Sequence, residues 1–138
     1  MATAVSDGRT LRIDGPFTVG SLSRIRQAVA LQAAIWRLGE PIVDAVQAIV
    51  SELAANMIVH ARGDGRLILT HRPSAIHCQA IDRGPGMPLP FLAGWQAPAI
   101  GDPAAARGLW MVRMLSTRLQ IDSSVLGTTV TAVLAWKR

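Results

Sequence analysis

The sequence has few of the residues that several classes of functional site require. It contains one cysteine, no tyrosine and two phenylalanines among 138 residues. A single thiol excludes an internal disulfide and a cysteine metal cluster, and so few aromatic rings leave little for base stacking by a nucleic-acid-binding surface. Cys78 lies in the apolar run Ala75–Ile81, where a buried structural thiol is expected rather than a nucleophile.

Charged residues are scarce as well, at 17% of the chain, although the formal net charge is +5. The 14 basic residues are scattered singly and form no run, whereas a nucleic-acid footprint would cluster them. A basic surface that meets phosphates or an acidic protein partner is sufficient to explain the net charge. We therefore expect no direct binding of nucleic acid.

Long hydrophobic runs are also missing, although half of the residues are hydrophobic and a disordered chain is excluded. The apolar stretch Ala28–Trp36 is too short to span a bilayer, and Pro41–Val59 is interrupted by polar residues. Met1–Arg12 shows no signal-peptide pattern. These features predict a cytoplasmic protein with no membrane span, formed by a single domain over residues 1–138.

The hydrophobic periodicity predicts an α+β fold. The first helix, Ser21–Leu38, has Ser21 as its N-cap and Gly39 as its stop, and Pro41 opens a second helix that runs to about Arg62. The other predicted elements are strands at Arg9–Ile13, Arg66–His71, Ala75–Ile81, Arg118–Ser123 and Thr128–Trp136, and a third helix from Arg107 to Leu115. Helices grouped against a mostly antiparallel sheet make a two-layer α/β sandwich.

A long segment, Asp82–Ala106, is rich in glycine, proline and alanine and has no helical or strand periodicity beyond one helical turn around Phe91–Trp95. Loops of this length in compact domains are usually disordered or functional. Glycine motifs flank this one on both sides, which favours a lid. We predict that Pro88–Ala106 exchanges its amide protons fast without a ligand and more slowly when one binds.

Two motifs place polar groups where a ligand could use them. Glu52 and Asn56 are one helical turn apart and border the apolar stripe of the second helix, although taken alone a solvated helix edge is the more common explanation of such residues. Asp82 follows an apolar strand, and Gly84 and Gly86 come after it. Such glycines permit close approach to a ligand, but they also suit a plain turn.

Two further motifs follow along the chain. Arg107-Gly108-Leu109 stands at the start of the third predicted helix, where free N–H groups and a guanidinium could bind phosphate. Gly127-Thr128 is a glycine turn that leads into a strand, and on its own it predicts only a hairpin. Each motif is weak by itself.

The order and spacing of the four motifs are specific. Together they resemble the N, G1, G2 and G3 boxes of the Bergerat ATPase superfamily, which includes gyrase and the histidine kinases, over Val43–Trp136. The segments Ser51–Ala61 and Asp82–Pro88 are similar to those of anti-sigma serine kinases and switch kinases. Histidine kinases usually have a lysine where this chain has Val59. The resemblance implies the histidine-kinase-like ATPase fold.

The resemblance also implies ATP and Mg²⁺ as cofactors and assigns a role to each motif. Asn56 would hold Mg²⁺, and Glu52 would act as general base toward a serine or threonine hydroxyl. Asp82 would accept a hydrogen bond from the adenine amino group. The remaining cofactor-binding residues would be Gly84, Gly86 and Met87 beside the base and ribose, Arg107, Gly108 and Leu109 at the phosphates, and Thr128 in the adenine pocket.

The function implied is a serine/threonine kinase of a bacterial partner-switching module. Its substrate would be a STAS-type anti-anti-sigma protein, and a sigma factor or other effector and a second copy of the chain are further partners that the family suggests. Two alternatives stay open: a non-catalytic ATP-binding interaction module, and an isolated catalytic domain of a histidine kinase. The family often has glycine where this chain has Ala106, and a position that required φ > 0 would be strained by alanine. His60, His71 and His77 are expected to be packing or surface residues.

Overall fold

A computed structural model describes residues 2–86 and 104–136 of the chain. Its elements are β1 Thr3–Ser6, β2 Thr10–Asp14, α1 Ser21–Ile35, α2 Glu40–Ala61, β3 Gly65–Arg72, β4 Ala75–Asp82, α3 Ala104–Leu115, β5 Arg118–Ser124 and β6 Gly127–Ala135. The strands form one six-stranded sheet in the order β1-β2-β3-β4-β6-β5. Every neighbouring pair is antiparallel, and the predicted α+β sandwich is confirmed.

The core lies between the helices and one face of the sheet. Side chains alternate between the two faces of a strand. In β3, Leu67 and Leu69 are buried on one face, and Arg66, which precedes Leu67, is exposed. The helices contribute the opposite wall of the core. The largest fully buried side chains on the helices are Ile25, Val29, Val46, Ile49, Val50, Leu53, Met57 and Leu109.

The helix α2 runs through the centre of this core. By length and composition it is apolar enough to cross a membrane, with a mean hydropathy of 1.6. Its apolar residues are explained by packing instead, because Val46, Ile49, Val50 and Leu53 are each at most 1% exposed. Pro41 lies in the first turn, as predicted, and Gly39, which was predicted only as the stop of the first helix, is the N-cap of α2. Arg62 then turns to φ 53° and ends the helix, one residue before the predicted boundary.

The boundaries of α1 differ from the prediction. Ser21 is the first residue of the helix and Gly20 is its N-cap, with no side-chain cap. The Ser21 hydroxyl instead accepts a hydrogen bond from the Thr18 amide at 3.0 Å. The helix ends at Ile35 rather than at Leu38. Arg37 takes the left-handed conformation, with φ 57°, two residues before Gly39, which was the predicted stop.

The prediction also missed the edge strand β1 and misplaced the start of α3. All four residues of β1 are exposed, so no buried face imposes a pattern on its sequence. The helix α3 begins at Ala104 instead of Arg107, so that the last three residues of the predicted loop are helical. The rest of that loop, including the predicted helical turn Phe91–Trp95, lies outside the described residues.

The cysteine and one histidine have the structural roles predicted for them. Cys78 is 1% exposed, and burial raises the pKa of its thiol to about 12, so the unreactive thiol form prevails at neutral pH. The His71 ring stacks on the Trp36 ring, with centroids 5.3 Å apart, and on the Trp136 ring at 6.4 Å. These rings close the end of the sheet where β4 begins.

Candidate functional site

The candidate site lies at the opposite end of the sheet, where β4 ends at Asp82. Asp82 is aligned with Gly65 of β3 on one side and with Thr128 of β6 on the other. Its Oδ1 accepts a hydrogen bond from the Gly84 amide at 2.9 Å. This bond fixes the carboxylate at the strand end, and a carboxylate has capacity for further donors.

Glycines allow the chain to close around this aspartate. Gly127 has φ 146°, and a Cβ there would collide with the Asp82 carbonyl oxygen and lie 3.2 Å from the Arg83 Cα. A Cβ on Gly84 would lie 2.8 Å from the His60 carbonyl oxygen at the end of α2. Gly86, with φ 92°, similarly faces the Ser124 carbonyl oxygen. The glycines therefore have structural roles, and their predicted contacts with base and ribose stay predictions.

A cavity of about 420 Å³ opens beside Asp82 and Thr128. This volume is within the range of small-molecule sites, which is about 300–1,000 Å³. Thr128 is 3% exposed, and its hydroxyl is 2.8 Å from that of Ser123. The residues that line the cavity are Asp82, Asp122, Ser123, Ser124, Leu126, Gly127, Thr128 and Thr129. The structure thus brings together the two residues that were predicted to bind adenine.

Sequence reasoning missed the β5 side of this cavity. Ser123 of β5 is aligned with Thr128 of β6, which is in turn aligned with Asp82 of β4. The signal was available, because a turn placed between Ser124 and Gly127 fixes the hairpin register and puts Ser123 opposite Thr128. The hydroxyl groups of Ser123 and Thr128 add hydrogen-bond donors and acceptors to the site.

The helix α2 brings the other predicted residues to the same end of the sheet. A Cβ on Gly65 would lie 2.6 Å from the Met57 sulfur and 3.3 Å from the Asp82 Cβ, so this part of α2 passes over the aspartate. Asn56, which precedes Met57, is 4% exposed, and its amide nitrogen has no hydrogen-bond partner among the described residues. A buried polar group left in this state costs about 1–3 kcal/mol, which is the mark of a group that a ligand or water completes.

The Asn56 nitrogen that lacks a partner among the described residues is a hydrogen-bond donor, which would need an acceptor such as a phosphate or water oxygen. Mg²⁺ would be held by the Asn56 side-chain oxygen, and that role stays a prediction. Within residues 2–86 and 104–136, no group of three or more histidine, cysteine or acidic side chains could enclose a metal. Mg²⁺ does not need such a cage, since it is usually held by one or two protein oxygens together with phosphates and water. The side-chain oxygen of a single asparagine is compatible with that arrangement.

Glu52 lies one turn before Asn56 and is directed at α3. The Glu52 side chain is half-buried. A Cβ placed on Gly108 would overlap the Glu52 Oε2 and would lie 3.1 Å from the Glu52 Cδ. Gly108 is buried in the contact between α2 and α3. The positive end of the α3 dipole lies nearby and favours a carboxylate there.

The start of α3 at Ala104 changes where the free N–H groups of this helix lie, and the phosphate contacts predicted for Arg107 and Gly108 stay predictions. The first four N–H groups of a helix have no intrahelical partner, and these belong to residues 104–107 rather than to Gly108 and Leu109. Leu109 is fully buried, so its side chain packs in the core. Met87 and the side chain of Arg107 lie outside the described part of the chain, and their predicted ligand contacts stay predictions.

Comparison with known proteins identifies the fold family. A model of the histidine kinase-like ATPase domain matches residues 15–134, and the chain belongs to that family. ATP is the cofactor that membership implies, and the predicted superfamily is confirmed. No curated protein sequence matches the chain.

Solved structures show the same fold. A chain in the crystal structure of the SiaB–SiaC complex from Pseudomonas aeruginosa is similar with a TM-score of 0.69 and 15% identity, over 92% of this chain and 90% of that chain. The histidine kinase domain of the blue-light activated histidine kinase from Erythrobacter litoralis EL346 is similar with a TM-score of 0.55 and 18% identity. That match covers 83% of this chain and 63% of that chain.

Proposed function

We propose that this protein is an ATP-dependent serine/threonine kinase of a partner-switching module and that its substrate is a STAS-type anti-anti-sigma protein. One observation carries the proposal. The buried Asn56 amide, which lacks a partner among the described residues, and the Glu52 carboxylate lie one turn apart on the helix that passes over the Asp82 cavity. A metal ligand and a proton acceptor at this spacing suit phosphoryl transfer to a hydroxyl group.

In this proposal the residues of the chain act mainly by positioning. Asp82 and Thr128 hold the adenine, and Glu52 accepts the proton of the serine or threonine hydroxyl. The hydroxyl oxygen bonds to the γ-phosphorus while the bond from that phosphorus to the ADP oxygen breaks. Asn56 would hold Mg²⁺, which would supply neutralisation of the negative charge on the phosphates.

The structure of α3 removes one argument against kinase activity. Ala106 was of concern because the family often has glycine there. In this structure residue 106 lies within α3, and a helical backbone is the one that alanine favours most. No strain from φ > 0 arises at Ala106 in this conformation.

A partner protein is also supported by the solved relative that was crystallised as the SiaB–SiaC complex. We further propose that the chain works in the cytoplasm as one domain over residues 1–138, and that a sigma factor or other effector and a second copy of the chain are additional partners. Val59 stands where histidine kinases usually have lysine, and this difference supports a serine/threonine kinase over a histidine kinase.

Phosphate transfer from labelled ATP tests the proposal. The purified chain is incubated with Mg²⁺, γ-labelled ATP and each STAS-type protein of the same organism. Label retained on a serine or threonine of one of them, and lost when that residue is changed to alanine, supports the kinase. Binding of a STAS-type protein without any transfer contradicts it and favours the ATP-binding interaction module.

A further inference from the structure

The contact between Glu52 and Gly108 gives the glycine a role that its motif does not suggest. Gly108 is the fifth residue of α3 and has an ordinary helical backbone, so no positive φ requires a glycine there. In a helix, alanine at such a position is normally more stable than glycine. The local structure therefore does not explain why residue 108 lacks a side chain.

The reason lies on the neighbouring helix. The Oε2 of Glu52 fills the space that a Cβ on Gly108 would occupy, and Cδ and Cγ of Glu52 lie 3.1 and 3.8 Å from that point. A real Cβ would force the carboxylate to rotate away or would push α3 off α2. The helix backbone at Gly108 is thus a wall against which the end of the glutamate side chain rests.

We propose that Gly108 is a positioning residue that fixes the direction of the Glu52 carboxylate. The inference rests on the proposed role of Glu52 as general base. A glutamate side chain has several rotatable bonds, whereas a base must be held within about 0.5 Å of its working geometry. Contact with the bare backbone of α3 removes the alternative rotamers on that side and leaves the carboxylate in one direction.

Kinetics of Gly108→Ala measures this role. We expect kcat for phosphate transfer to fall about tenfold or more, and by no more than the 10²–10⁴ that a general base contributes, while the Kd for ATP changes less than about threefold. In the Glu52→Gln background the same substitution should lower kcat no further, because the group being positioned is already gone. An unchanged kcat in Gly108→Ala, or an equal loss in both backgrounds, overturns the proposal.

Thermal unfolding tests the contact without relying on kinase activity. In the wild-type background Gly108→Ala should lower Tm, because the new Cβ meets the carboxylate. In the Glu52→Ala background it should raise Tm, because the space is free and alanine favours the helix. If both shifts have the same sign, the glutamate is not what requires the glycine, and the proposal fails.

A matched control is Gly84→Ala, which meets α2 at His60 and Ala61 rather than at Glu52. Its effect on Tm should be the same with and without Glu52→Ala. If Gly108→Ala does not fold but the double variant with Glu52→Ala does, the contact is confirmed; if neither folds, the proposal is overturned. A reversal of sign in Tm without any phosphate transfer by the wild type would support the contact and contradict the proposed kinase function.

Discussion

The two ends of the sheet use different side chains for different purposes. Where β4 begins, His71 stacks between Trp36 and Trp136, and the Trp36 ring nitrogen donates a hydrogen bond to the Gly8 carbonyl oxygen at 2.5 Å. Where β4 ends, the cavity is lined by carboxylates, hydroxyls and a glycine. The first end joins α1 to the sheet, and the second presents polar groups to a cavity.

The polar groups discussed at the two ends of the sheet differ in their hydrogen-bond partners. At the aromatic end the indole N–H has a backbone partner and the ring faces are stacked. At the cavity end the Asn56 amide nitrogen lacks a partner among the described residues, and the Asp82 carboxylate accepts one hydrogen bond, from Gly84. The two ends thus differ in the side chains that they present, with stacked rings at one end and carboxylates and hydroxyls beside a cavity at the other. Substitutions at the two ends should therefore affect different measurements.

The largest expected effect is on the rate of phosphate transfer. Glu52→Gln keeps the shape and polarity of the side chain but removes the proton acceptor, so transfer to the partner should fall about 10²–10⁴-fold with ATP binding nearly unchanged. Glu40→Gln, at the exposed start of the same helix, is the matched control and should keep the wild-type rate. Asn56→Ala should reduce ATP binding and transfer together. Wild-type transfer by Glu52→Gln would show that this carboxylate is not the base.

The next largest effect concerns ATP affinity. Asp82→Asn exchanges an acceptor-only carboxylate for an amide and leaves the adenine amino group poorly paired, at a cost of about 1–3 kcal/mol or up to about a hundredfold in Kd. Calorimetry with ATP and Mg²⁺ measures the loss. Asp122→Asn changes an exposed carboxylate at the rim of the same cavity and should have little effect. Equal affinities of Asp82→Asn and the wild type would remove Asp82 from the adenine site.

At the aromatic end the expected change is in stability alone. Trp36→Ala removes a half-buried ring, its stacking on His71 and one hydrogen bond, and should lower the free energy of unfolding by about 2 kcal/mol. Trp36→Phe keeps a ring and should lose less. The Kd for ATP of the folded variant should stay within about twofold of the wild-type value. A tenfold loss of ATP affinity would instead show that the two ends of the sheet are coupled.

The smallest effect is a pH dependence that arises outside both ends. Burial, together with the guanidinium groups of Arg72 and Arg118, lowers the pKa of His77 below its ordinary value of 6.5. The unfolded chain therefore binds this proton at a higher pH than the folded chain. Stability should be complete above pH 6.5 and decrease as the pH falls toward the pKa of the folded state.

His77→Gln tests this sign. Between about pH 7.5 and about pH 5.5 the Tm of the variant should decrease less than the Tm of the wild type, because one proton fewer is taken up on unfolding. Screening by solvent around the exposed arginines keeps the difference below about 1 kcal/mol. A steeper loss in the variant would mean that protonated His77 stabilises the fold.

Much of the fold followed from local chemistry that the sequence displays. The apolar spacing of α2, with Pro41 in its first turn, predicted the central helix nearly to its last residue. The alternation in Arg66–His71 and Ala75–Ile81 predicted β3 and β4. The exposed strand β1 gave no such signal, since an edge strand with no buried residue has no alternation to detect.

The sequence by itself determined which residue types could form the site. Each motif was weak by itself, and it was the resemblance of the four motifs, in their order along the chain, to the boxes of the Bergerat ATPases that predicted a nucleotide-binding domain. The tertiary structure alone decided that Asp82 of β4 is aligned with Thr128 of β6 at the cavity and that Glu52 rests against Gly108. Those contacts join elements that are distant in the chain. They depend on strand register and on how closely two helices approach, which no local pattern encodes.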